Sequence, residues 1–226
     1  MRKGTQNLLS YLPGGCEKYI RKKILYDWGL LARGVNYFRV KGALQSARPI
    51  KLEIGSCRRP GREDWVFAAL CGEGLDFRLD AREKFPFPDN CLRRIYSSHL
   101  IEHLSARQIR FFLGECRRVL KPGGIFSAAV PDASIYINAY LSGKGADFKK
   151  LCPYDKAAEH LSAKAKIDLL NFIAYSGGEH HHMFDKEGLV LYLSEAGFEK
   201  VRIRDFDCEL DEDRRRWQSI YIEARK

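Results

Sequence analysis

Residues 94–132 read RIYSSHLIEHLSARQIRFFLGECRRVLKPGGIFSAAVPD and decide the fold of this chain. Residues 94–97 form a short run typical of a β-strand, and Ser105 is a suitable N-cap for a helix over 105–120. Lys-Pro-Gly-Gly at 121–124 predicts a turn before a second strand at 125–130. A strand, a helix and a strand in this order predict parallel pairing with a right-handed crossover.

The rest of the chain extends this alternation on both sides. A helix with Asp185 as N-cap and Gly197 as its stop is predicted at 185–196, and the strands at 200–206 and 219–224 are expected to close the sheet as an antiparallel pair. Further strands are predicted at 50–54, 65–70 and 75–79, and further helices at 15–33 and over most of 155–175. The sequence thus predicts one α/β domain at 49–226, preceded by a helical extension at 1–48.

Composition excludes several classes of protein. Of 226 residues, 45% are hydrophobic and 30% are charged, which is globular rather than disordered. No apolar run approaches the roughly 18–20 residues of a transmembrane helix, and the first residues are too weakly apolar for a signal peptide. Seven scattered cysteines without CxxC spacing indicate neither a disulfide framework nor a zinc ribbon. A cytoplasmic protein is expected.

Positive charge is concentrated at the front of the chain. Residues 1–50 hold ten Lys and Arg residues against Glu17 and Asp27, a net charge of +8 out of +10 for the whole chain. Such a segment either forms the solvated face of a helix or contacts an anionic partner such as phosphate, acidic lipid or an acidic protein surface.

A glycine loop follows the first predicted strand. The run Lys51-Leu52-Glu53-Ile54-Gly55-Ser56-Cys57 ends a strand in an acid and a tight turn. In a doubly wound sheet this loop is where a nucleotide-like ligand binds, because backbone N–H groups face it. A strand that simply turns at a glycine explains the run equally well.

In this order, the motifs resemble the class I S-adenosylmethionine-dependent methyltransferases, specifically the small predicted methyltransferases found among polysaccharide-related enzymes. The resemblance spans about 50 to 224 and rests on the Glu53–Cys57 run, on Asp80, on the 94–132 stretch, on Ala196-Gly197-Phe198 and on the last strand. It implies a Rossmann-like fold whose mostly parallel sheet is closed by an antiparallel C-terminal strand. It also implies S-adenosylmethionine as cofactor and S-adenosylhomocysteine as product.

The resemblance assigns site residues one by one. Glu53, Gly55 and Ser56 would cradle the methionine and ribose parts of the cofactor, and Asp80 with the Ala81 backbone would bind adenine. A plain turn cap is the alternative role of Asp80. The Ser97–His99 turn would face the methyl group, with Ser97 and Ser98 on the cofactor side. Cys57 and Ala69 are the other two positions that the resemblance places beside the cofactor.

The two divergent positions depart from the family pattern. Cys57 stands where the family has its second glycine, and Ala69 stands where an acid usually binds both ribose hydroxyls. Each such bond contributes roughly 1.5–3 kcal/mol, so their loss weakens binding by about one to three orders of magnitude. Glu73 or Asp76 is a possible substitute, and Arg58 and Arg59 suit an anion as well as the cofactor carboxylate.

Two histidine patterns suggest metals, and no metal site is predicted from either. His99-Leu100-Ile101-Glu102-His103 matches the HxxEH pattern of zinc peptidases, but that pattern needs a continuous helix, and here it begins at the end of a strand. The run His180–His182 cannot give three ligands to one ion without a strained loop. A structural or substrate-side loop is expected there.

The function predicted is methyl transfer to an oxygen or nitrogen of a small-molecule or glycan-type acceptor. His99 is the candidate general base, because its loop is expected beside the methyl group. One alternative is a binding module with a decayed cofactor pocket that acts through its basic front segment. Another is an RNA methyltransferase, ranked lower because no aromatic-basic RNA module is visible.

Overall fold

A computed structural model describes residues 40–42, 44, 50–56, 62, 64–70, 74–142 and 165–226. The predicted helix at 15–33, the start of the one at 155–175, Cys57, Arg58, Arg59 and Glu73 lie outside the described residues. The predicted boundary between 48 and 49 lies outside them too and stays a prediction. Among the helices that are described, none is long and apolar enough to cross a membrane.

Seven strands form one sheet in the order β3-β2-β1-β4-β5-β7-β6. Strands β1 to β5 pair in parallel, while β7 runs antiparallel to both β5 and β6. The strand bounds are β1 Ile50–Ile54, β2 Trp65–Ala69, β3 Phe77–Arg78, β4 Leu92–Ser98, β5 Leu120–Pro131, β6 Glu199–Arg204 and β7 Ser219–Arg225. The predicted Rossmann-like α/β fold with an antiparallel C-terminal strand is confirmed.

Four α-helices are described over their full length, and local sequence signals set their ends; residues 40–42 and 44 are helical as well. They are α1 Ala106–Val119, α2 Ala133–Leu141, α3 Ile167–Tyr175 and α4 Lys186–Glu195. The Ser105 amide donates to Gln108 Oε1 at 2.9 Å before α1, and Asp185 Oδ1 accepts from the Gly188 amide at 2.7 Å before α4. Gly197 follows α4 with a φ of +83°, the left-handed conformation of a helix stop. The predicted caps and stop are confirmed.

The main core lies between the sheet and helices α1 and α4. On α1 the buried stripe is Ile109, Phe112, Leu113, Cys116 and Val119, as the periodicity predicts. Leu120, predicted as the last residue of this helix, instead begins β5. The predicted strand at 75–79 is reduced to Phe77–Arg78, with Asp76 bonded to the neighbouring strand.

The opposite face of the sheet carries a smaller, more polar cluster. Trp65, Phe67 and Tyr96 pack there with Leu210 from the loop between β6 and β7 (205–218, the β6–β7 loop). Tyr96 Oη donates to Asp211 Oδ1 at 2.9 Å, and Asp211 also pairs with Arg204. These bonds anchor the β6–β7 loop over the edge of the sheet at which the parallel strands end.

Candidate active site

The parallel strands β1, β2, β4 and β5 end along one edge of the sheet, called here the carboxyl edge, and β7 begins there at Ser219. Ligands of doubly wound folds bind along this edge, because loops and free backbone groups converge on it. Gly55 follows β1, His99 follows β4 and Asp132 follows β5. Asp80, two residues after β3, joins them. The topology therefore brings the described predicted site residues to one edge.

Glu53 is fully buried and serves as an internal anchor. Its carboxylate accepts hydrogen bonds from Ser56 Oγ and from Arg62 Nη1, whose side chain is also buried. Arg62 in turn donates to the carbonyls of Glu209 and Leu210, and its guanidinium lies 5.2 Å from the ring centroids of Trp65 and Tyr96. This pair ties the loop after β1 to the β6–β7 loop. Sequence reasoning missed Arg62, since a buried acid implies a cation without saying which one.

Gly55 meets both conditions for a required glycine. Its φ is +93°, and a Cβ there would lie 3.1 Å from the Leu100 Cβ. Its amide donates to the Ala68 carbonyl at 2.8 Å, so the turn is also bonded to β2. The chain therefore turns sharply beside the residues that follow β4.

Ala69 ends β2, so the strand itself supplies no carboxylate at this position. Ala69 is buried. Asp76 Oδ2 accepts from the Phe67 amide at 2.9 Å, while the Asp76 amide donates to the Phe67 carbonyl at 2.9 Å. These contacts use Asp76 to close the connection between β2 and β3 rather than to extend the end of β2.

Asp80 forms a turn and an ion pair with Arg82. Its carboxylate accepts from the Arg82 amide at 2.9 Å, from Nε at 2.8 Å and from Nη2 at 2.7 Å. These bonds hold the pKa of Asp80 below its usual range against the opposing effect of burial. The turn-cap role anticipated for Asp80 is present, and Ala81 beside it is buried.

Ser97 and Ser98, the last residues of β4, are both buried. Ser97 Oγ has no hydrogen-bond partner among the described residues. The next residue, His99, has a φ of +49°, which is uncommon for a residue with a side chain. Its amide donates to the Ala129 carbonyl at 2.8 Å, so β5 fixes this conformation. Strained backbone of this kind is typical of functional sites.

His99 lies between a hydroxyl and a buried carboxylate. Its Nε2 is 2.9 Å from Ser219 Oγ, and its Nδ1 is 3.4 Å from Glu102 Oε1 without forming a hydrogen bond. Burial holds the pKa of His99 well below its ordinary value, with the charges of Arg215 and Arg214 acting in the same direction. The imidazole is therefore neutral near pH 7. Sequence reasoning found His99 but not Ser219, which lies at the start of the last strand.

Glu102 is the second fully buried acid at the carboxyl edge. Its side chain is 2% exposed, and neither oxygen has a hydrogen-bond partner in the described part of the chain. Burial raises the pKa of Glu102 to about 8. It belongs to a single 3-10 turn, Ile101–His103, and not to the continuous helix that the HxxEH pattern of zinc peptidases requires.

The run His180–His182 divides into three different environments. His180 faces His103, with ring centroids 5.0 Å apart. His182 packs against Phe184 and Tyr192, and His181 is exposed. The amides of His181 and His182 both donate to the Glu102 carbonyl, at 2.8 and 3.1 Å, so this loop is docked on the turn after β4.

Residues 55–128 match the family model of the methyltransferase domain. This region is a methyltransferase domain. This match supports the predicted resemblance to class I S-adenosylmethionine-dependent methyltransferases, and with it a transferase activity and S-adenosylmethionine as the cofactor. The match does not favour the alternative of a non-catalytic binding module. No curated protein matches the chain.

Solved structures of similar shape carry related names. A SAM-dependent methyltransferase from Archaeoglobus fulgidus is 16% identical, with 86% of this chain and 94% of that chain covered and a TM-score of 0.49. One from Mesorhizobium loti is 15% identical, with 83% and 98% covered and a TM-score of 0.49. Haemonchus contortus phosphoethanolamine N-methyltransferase 2, in complex with S-adenosyl-L-methionine, is 11% identical, with 84% and 52% covered and a TM-score of 0.47. Likenesses this distant add no argument about the acceptor.

The methyltransferase fits its cofactor at some positions and diverges at others. Gly55 allows the Leu100 side chain to pack closely against the loop after β1, and the carboxylate of Asp80 is partly exposed two residues after β3. Ala69 supplies no acid for the ribose, and the Glu53 carboxylate is already bonded to Arg62 and Ser56. The cofactor-binding roles of Gly55, Ser56 and Asp80 stay predictions.

Proposed function

We propose that this methyltransferase methylates an oxygen or nitrogen atom of a small-molecule or glycan-type acceptor, with His99 as the general base. The arrangement Ser219 Oγ, His99 and Glu102 carries the proposal. In it a hydroxyl touches one imidazole nitrogen at 2.9 Å, and a buried carboxyl group lies 3.4 Å from the other. A hydroxyl, a base and an orienting acid in this order are a recurrent way to move a proton.

The proposed role of His99 requires one particular tautomer. The proposal assigns the proton of His99 to Nδ1, which lies 3.4 Å from Glu102 Oε1, so that Nε2 carries the lone pair and accepts the hydrogen of the Ser219 hydroxyl. The fixed backbone of His99 and its bond to Ala129 hold the ring in this orientation. Glu102 acts here as a positioning residue, because it touches His99 and not the acceptor.

Bound S-adenosylmethionine supplies an electrophilic methyl group on a sulfonium that leaves readily. With the cofactor bound, the acceptor atom would form its bond to the methyl carbon while the bond between that carbon and sulfur breaks, and S-adenosylhomocysteine would be released. The acceptor proton passes to Ser219 Oγ, which gives its own proton to His99 Nε2. Alignment and removal of this proton are the tasks left to the protein.

The enclosure of His99 supports a slender acceptor group. Its side chain is 12% exposed, and residues of β5, of β7 and of the turn at Ile101–His103 surround it. A sugar hydroxyl or an amine can enter such a space, whereas a base within a nucleic-acid helix first has to be extruded.

The experiment uses the full chain, methyl-labelled S-adenosylmethionine and a panel of sugar, polyol and amine acceptors. We expect transfer by the native protein, and a loss of about 100-fold or more in kcat for His99→Gln with unchanged cofactor affinity by calorimetry. His181→Ala, which alters an exposed neighbouring histidine, is the matched control and should keep native turnover. Full turnover by His99→Gln contradicts the role of the base.

A second arm tests the cofactor pocket with Ala69→Asp. An acid at the end of β2 should tighten S-adenosylmethionine binding by about 10-fold or more, since it adds charge-assisted bonds to the ribose. Micromolar binding by the native chain means that other groups hold the ribose. Absence of native binding up to millimolar cofactor, with binding restored by Ala69→Asp, contradicts catalysis by the native chain.

A further inference from the structure

We propose that Glu102, His103 and His180 bind one divalent transition-metal ion, with Zn²⁺ as the best-matched ion. One ligand atom from each residue lies within 4.8 Å of the others. The set is buried on its carboxylate side and partly open on its histidine side. Glu102 and His103 follow β4 at the carboxyl edge, and His180 reaches them from the loop before α4.

Both histidines are prepared to act as ligands. His103 Nδ1 is 2.9 Å from the Glu179 carbonyl, and His180 Nδ1 is 2.9 Å from the Ile173 carbonyl. A carbonyl oxygen only accepts, so each Nδ1 carries the hydrogen and each Nε2 carries the lone pair. Metal-ligating histidines are commonly fixed in this way, with the second nitrogen bonded to a backbone carbonyl.

The carboxylate supplies a second, independent observation. Buried polar groups in proteins are nearly always hydrogen-bonded, yet neither oxygen of Glu102 has a partner within the described residues. Arg215 is the cation whose charge acts on Glu102, but its Nε is 3.4 Å from Glu212. A bound cation would satisfy the carboxylate oxygen that does not face His99.

The backbone holds the three residues together. Glu102 accepts both the His181 and the His182 amides at its carbonyl, which fixes the histidine loop against the turn that carries Glu102 and His103. One residue of the histidine run is therefore used as a ligand, while His182 packs on aromatic rings. This resolves the steric objection to three adjacent ligands.

Two imidazoles and one carboxylate select the metal. This set with an open position is typical of catalytic Zn²⁺ and related first-row ions, whereas Mg²⁺ and Ca²⁺ prefer oxygen ligands. Ligands at about 2.0–2.1 Å around a tetrahedral ion lie about 3.4 Å apart, so side-chain rotation has to close the cluster slightly. The open position would receive an acceptor oxygen beside His99; this role rests on the proposed function, while metal binding does not.

The test titrates tag-free, full-length protein, stripped with a chelator, with Zn²⁺ and with Co²⁺. We expect one ion to bind per chain. The visible absorption spectrum of the bound Co²⁺ should be that of an ion with nitrogen and oxygen ligands. His103→Ala and His180→Ala should each weaken binding by at least about 100-fold. His181→Ala is the matched control, because its side chain lies outside the cluster, and it should bind as the native protein does.

Two results overturn the proposal: no stoichiometric Zn²⁺ on the native chain at micromolar concentration, or native affinity in folded His180→Ala protein. Circular dichroism of each stripped variant separates loss of the site from loss of the fold. Because metal binding is measured without cofactor or acceptor, it can succeed where methyl transfer fails. Transfer that survives complete removal of the metal would leave the proposed function standing and refute only the role of the ion in acceptor binding.

Discussion

The two halves of the carboxyl edge differ in whether their acidic side chains are hydrogen-bonded. Beside β1, β2 and β3, the carboxylates of Glu53, Asp76 and Asp80 are bonded to Arg62, to the Phe67 amide and to Arg82. Beside β4, Glu102 is equally buried but has no hydrogen-bond partner among the described residues, and two histidines nearby hold free ring nitrogens. The first half is internally satisfied, and the second is left open.

This contrast separates stability from function. Satisfied buried pairs fix the loop after β1, and removing one partner costs several kcal/mol. An unpartnered buried acid lowers the stability of the fold and persists where it serves a ligand or a reaction. The β4 half, with its strained His99, is therefore the half in which we expect chemistry, while the β1 half supports it.

The largest change in the free energy of unfolding is expected from Arg62→Ala. This change removes the buried guanidinium that pairs with the Glu53 carboxylate, so the free energy of unfolding in urea should fall by about 3–5 kcal/mol. The double variant Glu53→Leu with Arg62→Met removes both charges and should lose clearly less. A loss below about 1 kcal/mol for Arg62→Ala would mean that the β1 half does not depend on this pair.

In the half of the carboxyl edge beside β4, Glu102→Met is expected to change the free energy of unfolding in the opposite direction. Replacing an unpartnered buried carboxyl by an apolar side chain of similar length should raise the free energy of unfolding by about 1–2 kcal/mol in chelator-containing buffer. Glu53→Met is the matched control and should be destabilising, because it leaves the buried Arg62 guanidinium without the Glu53 carboxylate. A marked loss of stability for Glu102→Met would contradict the inferred difference between the two halves of the carboxyl edge.

The smallest effect is expected from Arg82→Gln, and it depends on pH. Arg82 is half exposed, so its pair with Asp80 contributes about 0.5 kcal/mol. Because the pair lowers the pKa of Asp80 in the folded state, its contribution is present above the unfolded value of about 3.9 and is lost as the pH falls through the folded value. Urea midpoints of both proteins should therefore differ at pH 6 and converge near pH 2. A difference that persists or grows in acid contradicts this account.

Much of the fold was predictable because its signals are local. Ser105, Asp185 and Gly197 mark helix ends by bonds or backbone angles within a few residues, and the apolar stripe of α1 repeats at the helical period. The errors are local too. The strand at 75–79 shrinks to two residues, with the Asp76 side chain bonded to the Phe67 amide.

The site was predictable only in part. The positions of Gly55 and His99 at the carboxyl edge were predictable, because a glycine turn and a residue after β4 occupy fixed places in this topology, while their roles stay proposals. Arg62, Ser219 and the pairing of His103 with His180 were not found, because their partners lie far along the chain. The histidine run gave a signal, but its sequence does not say which ring turns towards Glu102.

By itself, the sequence determined the alternation of strands and helices, the parallel sheet with its closing strand, and the glycine turn after the first strand. Hydrophobic period, caps and turns act over a few residues, so a single sequence carries them. The tertiary structure alone decided that Glu53 is paired with Arg62 while Glu102 is left without a hydrogen bond beside His99, His103 and His180. Such neighbours depend on how the sheet order and the long loops bring distant residues together, and no local pattern records that placement.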